Sequence, residues 1–271
     1  MAGSLSDTAI SRYERDGVLF PVRVMAAADA GELRRRMEDC EHRRGRLHYA
    51  AKPHLVLPFV AELVRHAAIL DAVESLIGSD ILLWDSSFIV KEAGDGKRVS
   101  WHQDLTYWGL EPTEGVVSIW LALAPATVES GAMKMIPGSH LGPIRRHRDT
   151  FAADNILTRG QEIVEAIDES RAVDIVLAPG EMSLHHGRIF HGSQPNRSAD
   201  RRIGFNAQYI AARVSQVVGR WDSATLVRGQ DRFGHFAAEP RPAAEYDPAC
   251  VAFQDEMAKR RKDYIYAGAG S

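Results

Sequence analysis

A chain of 271 residues, 45% hydrophobic and 25% charged with a net charge of −3, is long enough to bury one large core and carries no excess of cation for a nucleic-acid surface. Its two cysteines, Cys40 and Cys250, lie too far apart to read as a disulfide framework or a zinc knot, which fits a reducing compartment. No apolar run reaches the ~18 residues of a membrane span, and the charged N-terminal stretch has no signal-peptide core, so the expectation is a soluble, cytoplasmic protein whose partner is a small molecule, not a membrane or a nucleic acid.

In chain order, Ser6 to Arg15 reads as a helix stopped by Gly17, followed by a short extended Val18-Leu19-Phe20. Residues 26 to 43 form a charged helix with Leu33 and Met37 on its apolar stripe, and 59 to 77 form another helical region ending at Gly78. From Ile81 the texture changes to short β-rich runs separated by Gly and Pro, at 81 to 91, 99 to 104, 116 to 124, 132 to 136, 173 to 177, 181 to 191 and 202 to 211. That spacing predicts a mainly β fold, a double-sheet jelly roll or a barrel, with flanking helices mostly from the N-terminal third. The expected organisation is a single domain over 1–271: a helical flank over 1–80, a jelly-roll core over 81–211 and a C-terminal extension over 212–271. Asp247-Pro248 starts a surface helix that runs to about Lys262.

Strand parity assigns faces. Over 202 to 209 the even positions are Arg202, Gly204, Asn206 and Gln208, and the odd ones are Ile203, Phe205, Ala207 and Tyr209. The apolar face should meet the covering helices and the polar face should line the interior, so Arg202 and not Arg201 points inward. In 116 to 124, Val117, Ile119, Leu121 and Leu123 make one face, which leaves Trp120 among small neighbours on the other, where it can wall a substrate.

The chemistry concentrates in Trp101-His102-Gln103-Asp104, answered far along the chain by His191. If the first segment is extended, His102 and Asp104 present an imidazole and a carboxylate on one side. Two histidines and one carboxylate on one face of a metal leave the opposite positions open, which suits non-haem Fe(II) and oxygen chemistry. His185 and His186 read as packing groups or as residues that orient the ligands, His140 as a structural residue in the Pro137-Gly138-Ser139 turn, and Arg201 as solvent-facing. Tyr107 either packs in the core or edges the pocket.

Trp101-His102-Gln103-Asp104, Trp120, Pro137-Gly138-Ser139-His140, and His191-Gly192-Ser193-Gln194-Pro195-Asn196 followed by Arg202 resemble the phytanoyl-CoA dioxygenase family of Fe(II)- and 2-oxoglutarate-dependent oxygenases. The resemblance runs from about Ser11 to at least Tyr209. It implies a double-stranded β-helix (cupin-like jelly roll) with Fe(II) held by His102, Asp104 and His191, and a 2-oxoglutarate cosubstrate that chelates the metal through its keto acid end. Its far carboxylate would pair with Arg202 and the Ser193 hydroxyl, with Trp120, Gln103 and Lys52 as further cosubstrate contacts. The implied reaction uses O2, releases succinate and CO2, and hydroxylates an unactivated C–H. Related halogenases carry Ala or Gly where Asp104 stands, so the carboxylate favours hydroxylation.

A substrate is harder to read. Arg43, Arg44, Arg46, His48, Lys52 and His54, with Lys97 and Arg98, could form a lid that recognises an anionic or zwitterionic metabolite such as an amino acid or an aminophosphonate, or they could be a solvated basic face. The competing function is a cupin-like protein that binds a small molecule or metal without turnover, and a carboxylate clamp at Arg202 and Ser193 speaks against it. A zinc hydrolase lacks its His-Glu-x-x-His helix.

Overall fold

Helix α1 (Asp7–Asp16) forms where its caps place it: Ser6 accepts the Ala9 N–H at 3.3 Å, and Gly17 closes the end at φ 72°. The computed structural model describes residues 4–265, apart from Tyr107, Arg220 and the side chains of 262–265. After strand β1 (Val18–Arg23), helix α2 (Ala27–Arg44) buries Met37 with Ala30 and Cys40. The apolar run expected as one helical region over 59 to 77 is two helices, α3 (Pro58–Leu63) and α4 (Ala67–Ile77). Between them the Arg65 and His66 N–H groups donate to the carbonyls of Glu62 and Leu63, so the ladder tightens to a three-residue spacing and ends. Residues 62 to 66, Glu-Leu-Val-Arg-His, include neither Gly nor Pro, so the sequence carried no sign of that break.

Strands β2 (Ile81–Lys91), β3 (Val99–His102), β4 (Val116–Ala122), β5 (Met133–Met135), β6 (Val173–Ile175), β7 (Glu181–His186), β8 (His191–Ser193), β9 (Arg202–Ala211) and β10 (Ser223–Arg228) build two facing sheets. The larger has the order β1-β7-β4-β9-β2-β10, with the short segment Ala237–Ala238 added at its edge; the smaller has the order β3-β8-β5-β6. The chain crosses repeatedly from one sheet to the other, which is the expected jelly roll flanked by helices. The run expected as one strand over 181 to 191 is divided between the sheets: β7 belongs to the larger, β8 to the smaller, and Gly187 lies in the turn between them. A Cβ at Gly187 would stand 2.7 Å from Leu105 Cγ, so the turn closes tightly on the segment after the first metal-ligand candidates.

Parity holds along β9. Ile203, Phe205, Ala207 and Tyr209 are fully buried, and the Tyr209 hydroxyl donates to Val64 O at 2.9 Å, so this face meets the helices. Across β9, Arg202, Gly204, Asn206 and Gln208 stand opposite Lys91, Ile89, Ser87 and Asp85 of β2. On the other side Gly204, Asn206 and Gln208 pair with Ala122, Trp120 and Ser118 of β4, and Ser118 pairs with His185 of β7. Directly paired residues share a face, so the inner wall carries polar rows running across the sheet.

The C-terminal helix α5 (Pro248–Ile265) is docked more deeply than a surface helix. Met257 is fully buried, and the Arg261 guanidinium reaches Asp85 at 2.5 Å and Asp222 at 2.9 Å while lying 4.7 Å over the Trp84 ring. Arg201 also differs from its expectation. It ties α2 to the end of β2 through Glu41 at 2.8 Å, Glu92 at 2.9 Å and Glu38 at 3.2 Å.

Candidate active site

His102 and His191 are direct cross-strand partners on β3 and β8, which puts their ring centroids 4.0 Å apart. Asp104 joins them by a different route from the extended segment that parity assumed. β3 ends at His102, and Asp104 opens a single 3-10 turn, Asp104–Thr106, pinned by the Leu105 N–H donating to Gly187 O at 3.0 Å. One carboxylate oxygen then lies 3.5 Å from His102 Nε2 and 3.6 Å from His191 Nε2, and one candidate ligand atom from each residue falls within 4.8 Å of the others.

The histidine tautomers are set by the backbone. His102 Nδ1 donates to Ser100 O at 2.8 Å and His191 Nδ1 to Ile189 O at 3.1 Å, so each Nε2 presents a lone pair to the common centre. Burial drives His191 down to about 3, which leaves its imidazole neutral. Burial pushes Asp104 up, but the pull of His191 and the hydrogen bond to His102 outweigh it and hold the carboxyl at about 2. Neutral imidazole beside ionised carboxylate is the protonation state that a divalent metal needs.

These three residues open onto a cavity of about 370 Å³ whose wall also includes Trp120, Ser193 and Arg202. Arg202 is 1% exposed and donates Nη1 to Gly131 O at 2.7 Å, while its buried Nε has no partner among the described residues. No carboxylate faces it as an ion pair among the described residues. Burial lowers its pKa to about 10, still well above neutrality, so a charged guanidinium stands in the wall with an open donor edge. Trp120 lies under it, 5.1 Å from guanidinium carbon to ring centroid. Gly204 makes this possible: a Cβ there would stand 1.9 Å from the Trp120 ring. Near a two-histidine, one-carboxylate centre, an unpaired buried guanidinium fits the far carboxylate of a keto dicarboxylate.

The other proposed cosubstrate contacts sit differently. Ser193 is in the wall, with its Oγ accepting from Lys91 Nζ at 2.7 Å. Gln103 borders the cavity, but its amide is held by the backbone, donating to Arg188 O and accepting the Arg145 N–H, each at 2.7 Å. It therefore braces two loops. Lys52 turns away from the cavity: Nζ donates to Ser223 O at 2.7 Å and pairs with Glu239, which also meets His54 at 3.0 Å. A cation so fully neutralised has no donor left for a cosubstrate, which corrects the match to a cofactor-contacting lysine.

The basic segment is similarly occupied. Arg43 pairs with Glu245 at 2.9 Å, Arg44 lies over Tyr246 at 4.9 Å, and Arg98 pairs with Asp154 at 3.0 Å. His140 is structural: its Nε2 donates to Glu14 O near the end of α1 at 3.1 Å, since a carbonyl only accepts. His185 stands where a ligand-orienting residue was expected: its Nε2 is 3.9 Å from Asp104 Oδ2, and its Nδ1 is buried without a partner among the described residues. Tyr107 lies outside the described residues. Sequence reasoning missed Lys91 and Asp85, although the alternation 85, 87, 89, 91 along β2 puts both on the inner face.

Comparison with known proteins agrees with this geometry. The model of the family described as phytanoyl-CoA dioxygenase (PhyH) matches residues 13–204. A probable alpha-ketoglutarate-dependent hypophosphite dioxygenase of Stutzerimonas stutzeri is 31% identical over 62% of this chain and 58% of its own length. An L-proline trans-4-hydroxylase of Streptomyces griseoviridis is 26% identical over 70% of this chain and 81% of its own. The chain spans about half the length of the first curated relatives it matches, 58% and 47% for the first two. Among solved structures, the non-heme monooxygenase ThoJ in its apo form is 36% identical, covering 96% of this chain and 98% of its own at a TM-score of 0.84. CytC3, solved with Fe(II) and alpha-ketoglutarate, shares the fold at a TM-score of 0.67 and 23% identity over 90% of this chain and 96% of its own. The chain belongs to the phytanoyl-CoA dioxygenase (PhyH) family of Fe(II)- and 2-oxoglutarate-dependent dioxygenases.

Proposed function

We propose that this chain hydroxylates an unactivated C–H of a small polar metabolite with O2 and 2-oxoglutarate, releasing succinate and CO2. The observation that carries the reading is Arg202: a buried guanidinium with an open donor edge in the same cavity as His102, Asp104 and His191. A metal-binding module without turnover has no use for such a clamp.

His102, Asp104 and His191 would hold Fe(II), and Arg202 with Ser193 would hold the far carboxylate of 2-oxoglutarate. The bound metal and keto acid together supply the activation of O2 that C–H oxidation requires. The chain supplies orientation. The two Nδ1–H contacts to backbone carbonyls fix the direction of both imidazole lone pairs, and His185 stands beside the second oxygen of Asp104. Trp120 and the apolar surround keep water from the carboxylate clamp, which strengthens it. The Asp104 carboxylate would be a ligand to the metal, which favours hydroxyl transfer over halogenation.

The remaining wall argues for the substrate class. It offers the amides of Asn206 and Gln208, which make no side-chain hydrogen bond among the described residues, together with the Asp85 carboxylate, Tyr49 and the aromatic faces of Trp84 and Trp108. Among the described residues, Arg202 is the one Lys or Arg in the lining. A substrate that donates hydrogen bonds through hydroxyl, amide or ammonium groups therefore fits better than a phosphate or phosphonate dianion. The basic lid on which the amino-acid and aminophosphonate expectations both rested loses its support; the amino-acid reading is kept on the hydrogen-bond acceptors of the wall, and a relative is named for L-proline. The C-terminal part contributes through Arg261, which steadies Asp85, so we take the whole chain as one catalytic unit.

Succinate release by Fe(II)-loaded enzyme, measured across amino acids, amino alcohols and matched phosphonates, tests the reading. Stimulation by amine- or hydroxyl-bearing compounds, with product heavier by one oxygen atom, is expected. Turnover only with long-chain acyl compounds or phosphonates would overturn the substrate class, and a product without added oxygen would overturn hydroxylation.

A further inference from the structure

Lys91 is the last residue of β2 and is fully buried, yet it makes no hydrogen bond or ion pair to a carboxylate among the described residues, and Asp95 acts on it only through space. Its Nζ donates to Ser193 Oγ at 2.7 Å and to the Gln194 carbonyl. No ion pair involves it among the described residues, and its direct cross-strand neighbour is a second buried cation, Arg202. Two basic residues side by side without an anion are an unfavourable arrangement in a folded core, because each disfavours the charge of the other and neither is solvated. Burial first, and then the neighbouring Arg202, push the Lys91 amine down to about 6. The arrangement is relieved by a ligand that brings negative charge to this end of the cavity.

Lys91 does not itself reach the cavity wall; Ser193 stands between them. A serine hydroxyl has one proton to donate and two lone pairs. Lys91 gives N–H groups to both Ser193 Oγ and the Gln194 carbonyl in either protonation state, so the serine oxygen acts as acceptor toward the lysine and its proton is free to turn to the cavity wall that Ser193 shares with Arg202, whose Nε is unpartnered among the described residues. The Gln194 contact fixes the same strand end from behind. Gly131, whose carbonyl fixes Arg202, is packed so closely there that a Cβ would stand 2.3 Å from Gln194 O. Lys91, Ser193, Gln194, Gly131 and Arg202 thus form one braced basic unit, suited to an anionic group.

We propose that Lys91 is a positioning residue for the cosubstrate: it holds the Ser193 hydroxyl as an acceptor so that its proton is presented to the far carboxylate of 2-oxoglutarate beside Arg202. The inference rests on the 2-oxoglutarate reading of the cavity. It separates Lys91 from a lysine that merely pins the strand end, because a pin would act on His191, two residues before Ser193, as much as on the cosubstrate.

Anaerobic binding of 2-oxoglutarate to the Fe(II)-loaded chain, followed by calorimetry, should be compared for the unmodified protein, Lys91→Met, Ser193→Ala and the double variant, with Co(II) binding to each metal-free chain followed by its visible spectrum. The expected result is a loss of 2-oxoglutarate affinity of about tenfold in Lys91→Met, most of which disappears when Ser193 is already Ala, with Co(II) affinity and spectrum unchanged. Additive losses in the double variant, an equal loss of Co(II) binding, or no loss for 2-oxoglutarate would overturn the proposal. If Lys91→Met does not fold, Lys91→Gln keeps an N–H donor at that position and should retain more affinity than Ser193→Ala; less would equally overturn it. No binding of 2-oxoglutarate by the unmodified chain would overturn the function itself, an outcome distinct from a variant-specific failure.

Discussion

Two clusters of buried charge lie along β2, and they are built in opposite ways. Near its middle, Lys52 is surrounded by its answers: Glu239 pairs with it, Ser223 accepts from it, and His54 and Thr225 hold the remaining Glu239 oxygen at 3.0 Å and 2.6 Å. At its end, Arg202 and Lys91 are equally buried and their hydrogen bonds go to neutral acceptors among the described residues. The first cluster is complete within the chain, and its residues hold β10 and the C-terminal segment to the core. The second has no carboxylate at ion-pair distance among the described residues, which is the arrangement our proposed anion site requires. Burial of a cation by itself says little about function; whether its counter-charge is part of the protein says much more.

That contrast predicts which variants damage folding and which damage binding. Glu239→Gln should have the largest effect on folding, about 3–5 kcal/mol, because it leaves Lys52 buried without its counter-ion; urea unfolding checks this, and the folded fraction should still bind 2-oxoglutarate. Arg202→Met should do the reverse. It removes an unpaired buried charge, so the melting temperature should hold or rise, while 2-oxoglutarate affinity falls by about 3 kcal/mol, roughly a hundredfold. An Arg202→Met chain that lost stability and kept affinity, or a Glu239→Gln chain that kept stability and lost affinity, would break the distinction.

Gly204→Ala tests the floor of the open cluster. Its Cβ would overlap the Trp120 ring, so overpacking should cost about 1–3 kcal/mol and shift the ring from beneath Arg202. Thermal unfolding and tryptophan fluorescence read the two consequences separately. Acidification gives the smallest effect. His185 and His191, at about 4 and about 3 because they are buried, stay neutral in the folded metal-free chain while the unfolded chain takes up protons below the ordinary histidine range. The unfolded state binds more protons there, so melting temperature should fall as pH drops from 7 to 5. Glu239 is held below the usual carboxylate range and adds to that loss only at lower pH, as ordinary carboxyls begin to protonate.

The legibility of the fold follows the same physical lines. Polar and apolar residues alternate cleanly over 202 to 209 because one face of the sheet meets helices and the other lines a cavity, so Arg202 and Trp120 could be aimed from sequence. The order of the strands and the ligand residues was readable for that reason and through resemblance. What failed was anything set by a distant partner. Lys52 reads locally as an available cation, since Glu239 lies 187 positions away in the chain. The basic residues from Arg43 onward look like a lid until Glu245 and Glu239 are placed beside them. Asp104 reached its histidines through a 3-10 turn, and the extended-strand argument arrived at the right neighbours by the wrong local geometry. Lys91 was within reach of the parity argument, which had been applied to β9 and not to its neighbour β2.

The central claim is that the triad and Arg202 serve one metal and keto-acid site. Anaerobic addition of Fe(II) and 2-oxoglutarate to the chain tests it most directly, because a keto acid chelating Fe(II) produces a weak visible charge-transfer band. The account predicts a band for the unmodified protein, none for Asp104→Ala, and for Arg202→Ala a weaker band at the same 2-oxoglutarate concentration. No band with metal and cosubstrate both in excess, or a band indifferent to Arg202, would contradict it.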